Sequence, residues 1–98
     1  MDTWAVIHDK ATELSSKFTG DVKRDVAMLQ QECEKWYDKR IAELDKTMKN
    51  PNMGKASELY RDSIKTLRAD RQKLIEVFRK FQKEIEAVID SFRHTKSV

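Results

Sequence analysis

The chain has 98 residues and a formal net charge of +3, and 38% of its residues are charged while 39% are hydrophobic. A domain of this length buries only a small core, which argues against a large catalytic cavity. With two glycines and one proline the chain also lacks the turn residues of a sheet protein, so we predict an all-α fold in which residues 1–98 form one domain.

The first predicted element is a helical arm over about residues 3–49. Gly20 and Asp21 could end one helix and cap another, because glycine disfavours helix and aspartate is a good cap. The apolar pattern nevertheless continues through them, so we expect a kink near Gly20 rather than a separate third helix. The stripe advances by steps of three and four residues, with a single step of five, through Trp4, Ile7, Ala11, Leu14, Phe18, Val22, Val26, Leu29, Cys33, Trp36, Ile41, Leu44 and Met48.

A loop over residues 50–54 separates this arm from the next. Pro51 disfavours helix at Asn50, and asparagine and glycine tolerate turn conformations, as at Asn52 and Gly54. The sequence therefore predicts that one helix ends and another begins here, which divides the chain into two nearly equal arms.

The second arm, over about residues 55–94, carries a heptad stripe. Its members follow one another by alternating steps of four and three residues, the spacing of a coiled-coil helix. Nine of the ten are apolar, and Arg71 is the exception. The stripe comprises Tyr60, Ile64, Leu67, Arg71, Leu74, Phe78, Phe81, Ile85, Val88 and Phe92.

Together the two stripes predict a long antiparallel helical hairpin of the coiled-coil type. If the chain reverses at Pro51, residues that face each other have numbers with a nearly constant sum, and members of the two stripes satisfy this rule. Two of the resulting layers, Ala11 with Phe92 and Cys33 with Arg71, place a small residue opposite a large one, as interdigitating side chains require. Other layers are Leu44 with Leu59, Trp36 with Leu67 and Leu29 with Leu74.

The predicted hairpin leaves apolar surface that its own two helices do not cover. Part of this surface flanks the seam, and Trp4 and Ile7 would overhang beyond the end of the opposing helix. We expect it to drive assembly into a helical bundle, either with a second copy of the chain or with another helical protein. The candidate association residues are Trp4, Ile7, Met28, Tyr37, Ile75, Val77 and Ile89.

Arg71, the charged residue of the second stripe, admits two interpretations. Its methylenes could lie along the seam while its guanidinium reaches solvent. Alternatively, a polar residue within the seam could fix register or partner choice, and Glu32 and Glu34 flank the facing Cys33. Cys33 is the single cysteine of the chain, and we expect it to behave as a small apolar core residue.

No feature of the sequence points to catalysis. It contains no phosphate-cradling glycine loop, nucleophile elbow or cysteine/histidine metal spacing, so we expect neither an enzyme nor a cofactor, metal or small-molecule substrate. We predict a non-catalytic scaffold or adaptor that acts through coiled-coil association. The first residues do not resemble a signal peptide and no apolar run is long enough to cross a membrane, so we expect an intracellular location, cytoplasmic or nuclear.

The distribution of charge offers a second functional hypothesis. Residues 55–98 carry eleven Lys or Arg against seven Asp or Glu, and such a basic arm could bind nucleic acid or an anionic membrane surface. Acidic residues alternate with the basic ones, however, and exposed aromatics are not interleaved with them, which is typical of a solvated coiled-coil surface.

Overall fold

The structure is a computed structural model that describes residues 3–96 and the side chains of residues 3–91. The described chain is all-α, and a helical hairpin in which α2 packs along α3 forms most of it, so the predicted fold class is confirmed. Phe92, the last member of the predicted second stripe, lies outside the described side chains. The elements are α1 (Thr3–Leu14), a 3-10 turn (Ser15–Lys17), α2 (Val22–Met48) and α3 (Ala56–Lys96).

The loop between α2 and α3 lies where the sequence predicts it. The Asn50 side-chain oxygen accepts a hydrogen bond from the Asn52 backbone N–H at 3.0 Å, and the Met53 N–H donates to the Asn50 carbonyl at 3.1 Å. Gly54 has a φ of +54°, a left-handed conformation that glycine adopts without steric cost. These local contacts reverse the chain between the two long helices.

The chain breaks between α1 and α2, and the predicted kink in one continuous arm is wrong. Asp21 caps α2 by accepting a hydrogen bond from the Arg24 N–H at 3.2 Å. Asp25 accepts hydrogen bonds from the N–H groups of Thr19 and Gly20 at 3.0 and 2.9 Å, and Gly20 has a φ of +87°. Capping and a left-handed glycine therefore separate the helices although the apolar stripe continues.

After this break α1 folds back on the hairpin as a third helix. The Thr3 hydroxyl donates to the Asp70 carbonyl at 3.4 Å, which places the start of α1 beside the middle of α3. Val6 is buried in the same cluster as Cys33 and Leu74. In one continuous arm Thr3 would lie about 30 Å beyond the start of α2, far from these partners.

The core lies where the three helices meet. Tyr37 is fully buried there, whereas its neighbour Trp36 is only partly buried and packs against the core from outside. Tyr37 therefore takes the place in the seam that the sequence pattern assigns to Trp36. The buried cluster consists of Val6, Val26, Cys33, Tyr37, Leu74 and Phe78.

Contacts between α2 and α3 place the two arms of the hairpin relative to each other. Arg71 reaches Glu34, the neighbour of its predicted partner Cys33, with its Nη2 3.3 Å from a Glu34 oxygen, and its Nε lies 2.8 Å from Asp38. Nearer the loop, the predicted pairs Leu44 with Leu59 and Trp36 with Leu67 line one cavity. Farther along the hairpin the Gln82 side-chain amide donates to Gln30 at 3.2 Å, a contact that the predicted pairs do not include.

Of the two hairpin helices, α3 is the longer. It has 41 residues against 27 in α2, which corresponds to about 60 Å against about 40 Å. The long axis of the molecule measures 69 Å. Two apolar residues of α3 remain exposed, Leu59 near the loop and Val88 toward the far end of the helix.

Candidate interaction groove

An apolar groove opens between α1 and the second half of α3. Its volume is about 450 Å³, and all three helices contribute to its walls. We call it the α1–α3 groove. Its lining consists of Trp4 and Ile7 from α1, Leu29 from α2, and Val77, Phe78, Lys80, Phe81 and Glu84 from α3.

The α1–α3 groove has a buried floor and an exposed aromatic rim. Phe78 belongs to the buried core, and Ile7 and Leu29 pack against that core. Trp4 and Phe81, by contrast, expose 66% and 47% of their surface. The rim of the groove therefore leaves aromatic surface in contact with water.

Helical spacing explains why α1 can build both the core and the groove. Thr3 and Val6, three residues apart, are buried on one face of α1. Trp4 and Ile7, also three residues apart, lie on the adjoining face and line the groove. One short helix therefore closes the core with one face and leaves the other open.

Three of the seven predicted association residues meet in this groove, namely Trp4, Ile7 and Val77. The predicted overhang of Trp4 beyond the end of the hairpin is wrong, because the reversal of α1 carries Trp4 to the middle of α3. Leu29 and Phe81 also line the groove, although the sequence pattern assigns them to the seam of the hairpin.

The other four predicted association residues do not line the groove. The placement of Tyr37 on an association surface is corrected, because Tyr37 is fully buried in the chain's own core. The reversed α1 adds a third wall to that core, which the predicted two-helix hairpin lacks. Met28, Ile75 and Ile89 are each partly buried.

Two charged side chains interrupt the apolar lining. Lys80 and Glu84 lie four residues apart on α3 and therefore on the same face of that helix. Within the part of the chain that the structure describes, neither forms an ion pair. Lys80 also lines an adjoining cavity together with Thr3, Trp4, Asp70, Lys73, Glu76 and Val77.

Arg71 links the two arms of the hairpin at a partly exposed position. Its Nε donates to Asp38 at 2.8 Å, and its Nη2 lies 3.3 Å from a Glu34 oxygen. The guanidinium thus reaches the edge of the seam and pairs there with α2. Both ion pairs of Arg71 are thus formed within the chain, between α3 and α2.

Cys33 is a buried free cysteine, as the sequence pattern predicts. Burial raises the pKa of its thiol to about 11; the Lys10 charge opposes the shift, while Glu32 and Glu34 add to it. The thiol is therefore protonated at neutral pH. A protonated, buried thiol is a poor nucleophile and serves as a packing group.

A basic surface surrounds Trp36 on the outside of α2. The Arg40 guanidinium carbon lies 6.0 Å from the centre of the Trp36 ring, within cation–π range. The sequence-based hypothesis places a basic surface on the second arm, which is α3. The structure instead places cations beside an aromatic ring on the first arm, in α1 and α2. The cavity here measures about 330 Å³ and is lined by Lys10, Glu32, Lys35, Trp36, Lys39, Arg40 and Glu43.

Comparisons with protein-family models, with curated proteins and with solved structures found no match for this chain. Among the residues that the structure describes, no group of three or more His, Cys, Asp or Glu is placed to hold a metal ion. No described helix has an apolar stretch that would span a membrane. The fold defines the class of the protein: an all-α helical hairpin with a third helix folded onto it.

Proposed function

We propose that the protein is a non-catalytic association module, a scaffold or adaptor, whose α1–α3 groove receives a helix of another chain. One observation carries this proposal: three helices build an apolar groove of about 450 Å³ with Trp4 and Phe81 exposed at its rim. Covering such a surface is favourable by about 25 cal/mol for each Å² of apolar area removed from water.

The shape of the groove supports a helix as its occupant. Two helices, α1 and α3, form its long walls, and each contributes side chains at helical spacing, Trp4 with Ile7 and Val77 with Phe81. Side chains arranged in such rows pack against the ridges of a further helix. A fourth helix in the groove would complete a four-helix bundle.

Site-specific photo-crosslinking tests this function. With p-benzoylphenylalanine in place of Phe81, we expect adducts in an extract of the source cells, mapped by mass spectrometry to a helical segment of one defined polypeptide. Gln72, an exposed residue of α3 outside the groove, is the matched control position. Trp4→Ala in the same protein should remove most of the adduct, because it removes the large aromatic side chain from the α1 wall of the groove.

Two results together would refute the proposed function. The first is a level of adducts at position 81 no higher than at position 72. The second is a purified chain that remains monomeric at its highest soluble concentration.

Contact with an anionic partner is a second candidate function, favoured by the cluster of Lys10, Lys35, Lys39 and Arg40 near Trp36. Basic groups that bind phosphates release counterions, so binding to duplex, single-stranded nucleic acid or anionic vesicles should weaken steeply as salt rises. A flat titration against all three would remove this candidate.

A further inference from the structure

The charges on the groove wall are arranged in a self-complementary way. Lys80 and Glu84 stand about one turn apart on the same face of α3, on either side of Phe81 along the groove. Neither has an ion-pair partner within the described residues. A helix that enters the groove has to meet a positive and a negative group in this order.

An antiparallel copy of α3 meets both charges at once. Because its chain direction is reversed, Lys80 of one copy faces Glu84 of the other, and Glu84 of the first faces Lys80 of the second. Two-fold symmetry makes the two ion pairs equivalent. A parallel copy in the same register would instead place Lys80 against Lys80.

The same arrangement pairs apolar groups. With the two-fold axis near Gln82, Phe81 approaches its counterpart, and Val77 of one copy faces Ala87 of the other. Ala87 is small and exposed, so the second helix can come close to the rim that Trp4 forms. Shape and charge therefore select one register.

We propose that the occupant of the α1–α3 groove is a second copy of this chain, and that the protein is a two-fold dimer in which the two α3 helices pack antiparallel. This inference rests on the proposed function and names its partner. Each copy supplies both a groove and the helix that covers the groove of the other, so the interface is closed and the assembly stops at two chains.

Charge-reversal variants test the dimer by sedimentation equilibrium. The wild-type chain should be a dimer, and Lys80→Glu and Glu84→Lys should each weaken dimerisation about tenfold or more, because each places like charges opposite each other twice. An equimolar mixture of the two variants should form a heterodimer, since its facing charges are again opposite. The double variant should dimerise with itself for the same reason.

Matched controls separate the interface from general charge effects. Arg79→Glu and Glu86→Lys change the net charge by the same amounts at positions next to Lys80 and near Glu84, on the outer face of α3, and should leave dimerisation within about twofold of wild type. Circular dichroism of every variant checks that α3 remains helical. The mixing experiment still tests the interface if Lys80→Glu or Glu84→Lys also lowers the stability of the fold. Association can be restored on mixing only if residues 80 and 84 of the two copies face each other.

Several outcomes would overturn the inference. A monomeric wild-type chain at the highest soluble concentration excludes the second copy. The proposed register is excluded if Lys80→Glu and Glu84→Lys weaken dimerisation no more than the control variants do. It is also excluded if these two variants fail to associate with each other on mixing. If the wild type is monomeric while adducts at position 81 map to a different polypeptide, the proposed function stands and only the identity of the occupant is wrong.

Discussion

Leu74 and Arg71 belong to the same stripe of α3 but stabilise the hairpin in different ways. Leu74 is fully buried in the core, where its side chain is surrounded by residues of all three helices. Arg71 keeps 31% of its side chain exposed, and its partner Asp38 keeps 59%. Solvent screens such an ion pair strongly, so its contribution to stability is small.

Truncation to alanine should therefore cost clearly more stability at Leu74 than at Arg71. Leu74→Ala should lower the free energy of unfolding by about 2 to 5 kcal/mol, because it leaves a cavity in the core. Arg71→Ala should cost about 1 kcal/mol through the lost ion pairs and stem packing. Urea denaturation of both variants measures the ranking. An equal or larger loss for Arg71→Ala would mean that the Arg71 pairs are buried more deeply than the structure shows.

Cys33 reports on the opening of the core. Its thiol is buried and its pKa is raised to about 11, so a thiol reagent at neutral pH should label the folded protein on the order of 100-fold more slowly than the chain in urea. The reaction is followed by absorbance with an aromatic disulfide reagent. Equal rates in the two conditions would show that α1 does not close the core.

Tyr37 illustrates what the sequence pattern could and could not reveal. The predicted first stripe contains a single step of five residues, between Trp36 and Ile41; with Tyr37 in place of Trp36 every step there becomes three or four. That irregularity was a readable signal for Tyr37. The burial of Val6 gave no such signal, because it depends on the reversal of α1, which periodicity does not encode.

The Asp25 carboxylate stabilises the turn between α1 and α2. Asp25 lies in the first turn of α2. It accepts hydrogen bonds from the backbone N–H and the hydroxyl of Thr19 and from the backbone N–H of Gly20, all in the preceding loop. The hydrogen bond from the Thr19 backbone N–H is the largest cause that holds the pKa of Asp25 below its ordinary value. Burial opposes it, while the Gly20 N–H, the Thr19 hydroxyl and the nearby Arg24 charge also lower the pKa. The folded turn thus favours the ionised form of Asp25.

The pH dependence of this turn follows from the sign of that shift. A carboxyl whose pKa is lowered by folding adds stability above its unfolded pKa and loses it as pH falls through the folded value. Asp25→Asn should therefore lower the melting temperature at neutral pH, and its difference from wild type should close below about pH 4. Asp21→Asn is the matched control, since asparagine caps a helix about as well as aspartate. A difference that persists unchanged in acid would contradict this role of Asp25.

Helix boundaries were predictable where local residues act alone. The residues from Asn50 to Gly54 define the hairpin loop by their own turn preferences, and α2 and α3 end and begin within two residues of the predicted positions. Gly20 and Asp21 carried an equally local signal for a helix break. The longer apolar stripe outweighed it in the prediction, although the capping interactions prevail in the structure.

The whole molecule is a long hairpin whose one short extra helix creates the candidate site. Trp4, Ile7 and Val77 were identifiable from the sequence as surplus apolar residues, but their meeting in one groove depends on the reversal of α1 and on the register of the hairpin. Register in turn depends on contacts between distant residues, such as Arg71 with Asp38. A single periodic sequence constrains those contacts only weakly.

The fluorescence of Trp4 tests most directly whether the α1–α3 groove is the association surface. The chain has two tryptophans, so Trp36→Phe leaves Trp4 as the only one. Iodide should quench Trp4 strongly in dilute solution, where 66% of its surface is exposed, and weakly at concentrations at which the mass doubles. With Lys80→Glu added, quenching should stay strong at both concentrations. Quenching that is unchanged while the mass doubles, or a Trp4 already shielded in the dilute monomer, would contradict the account.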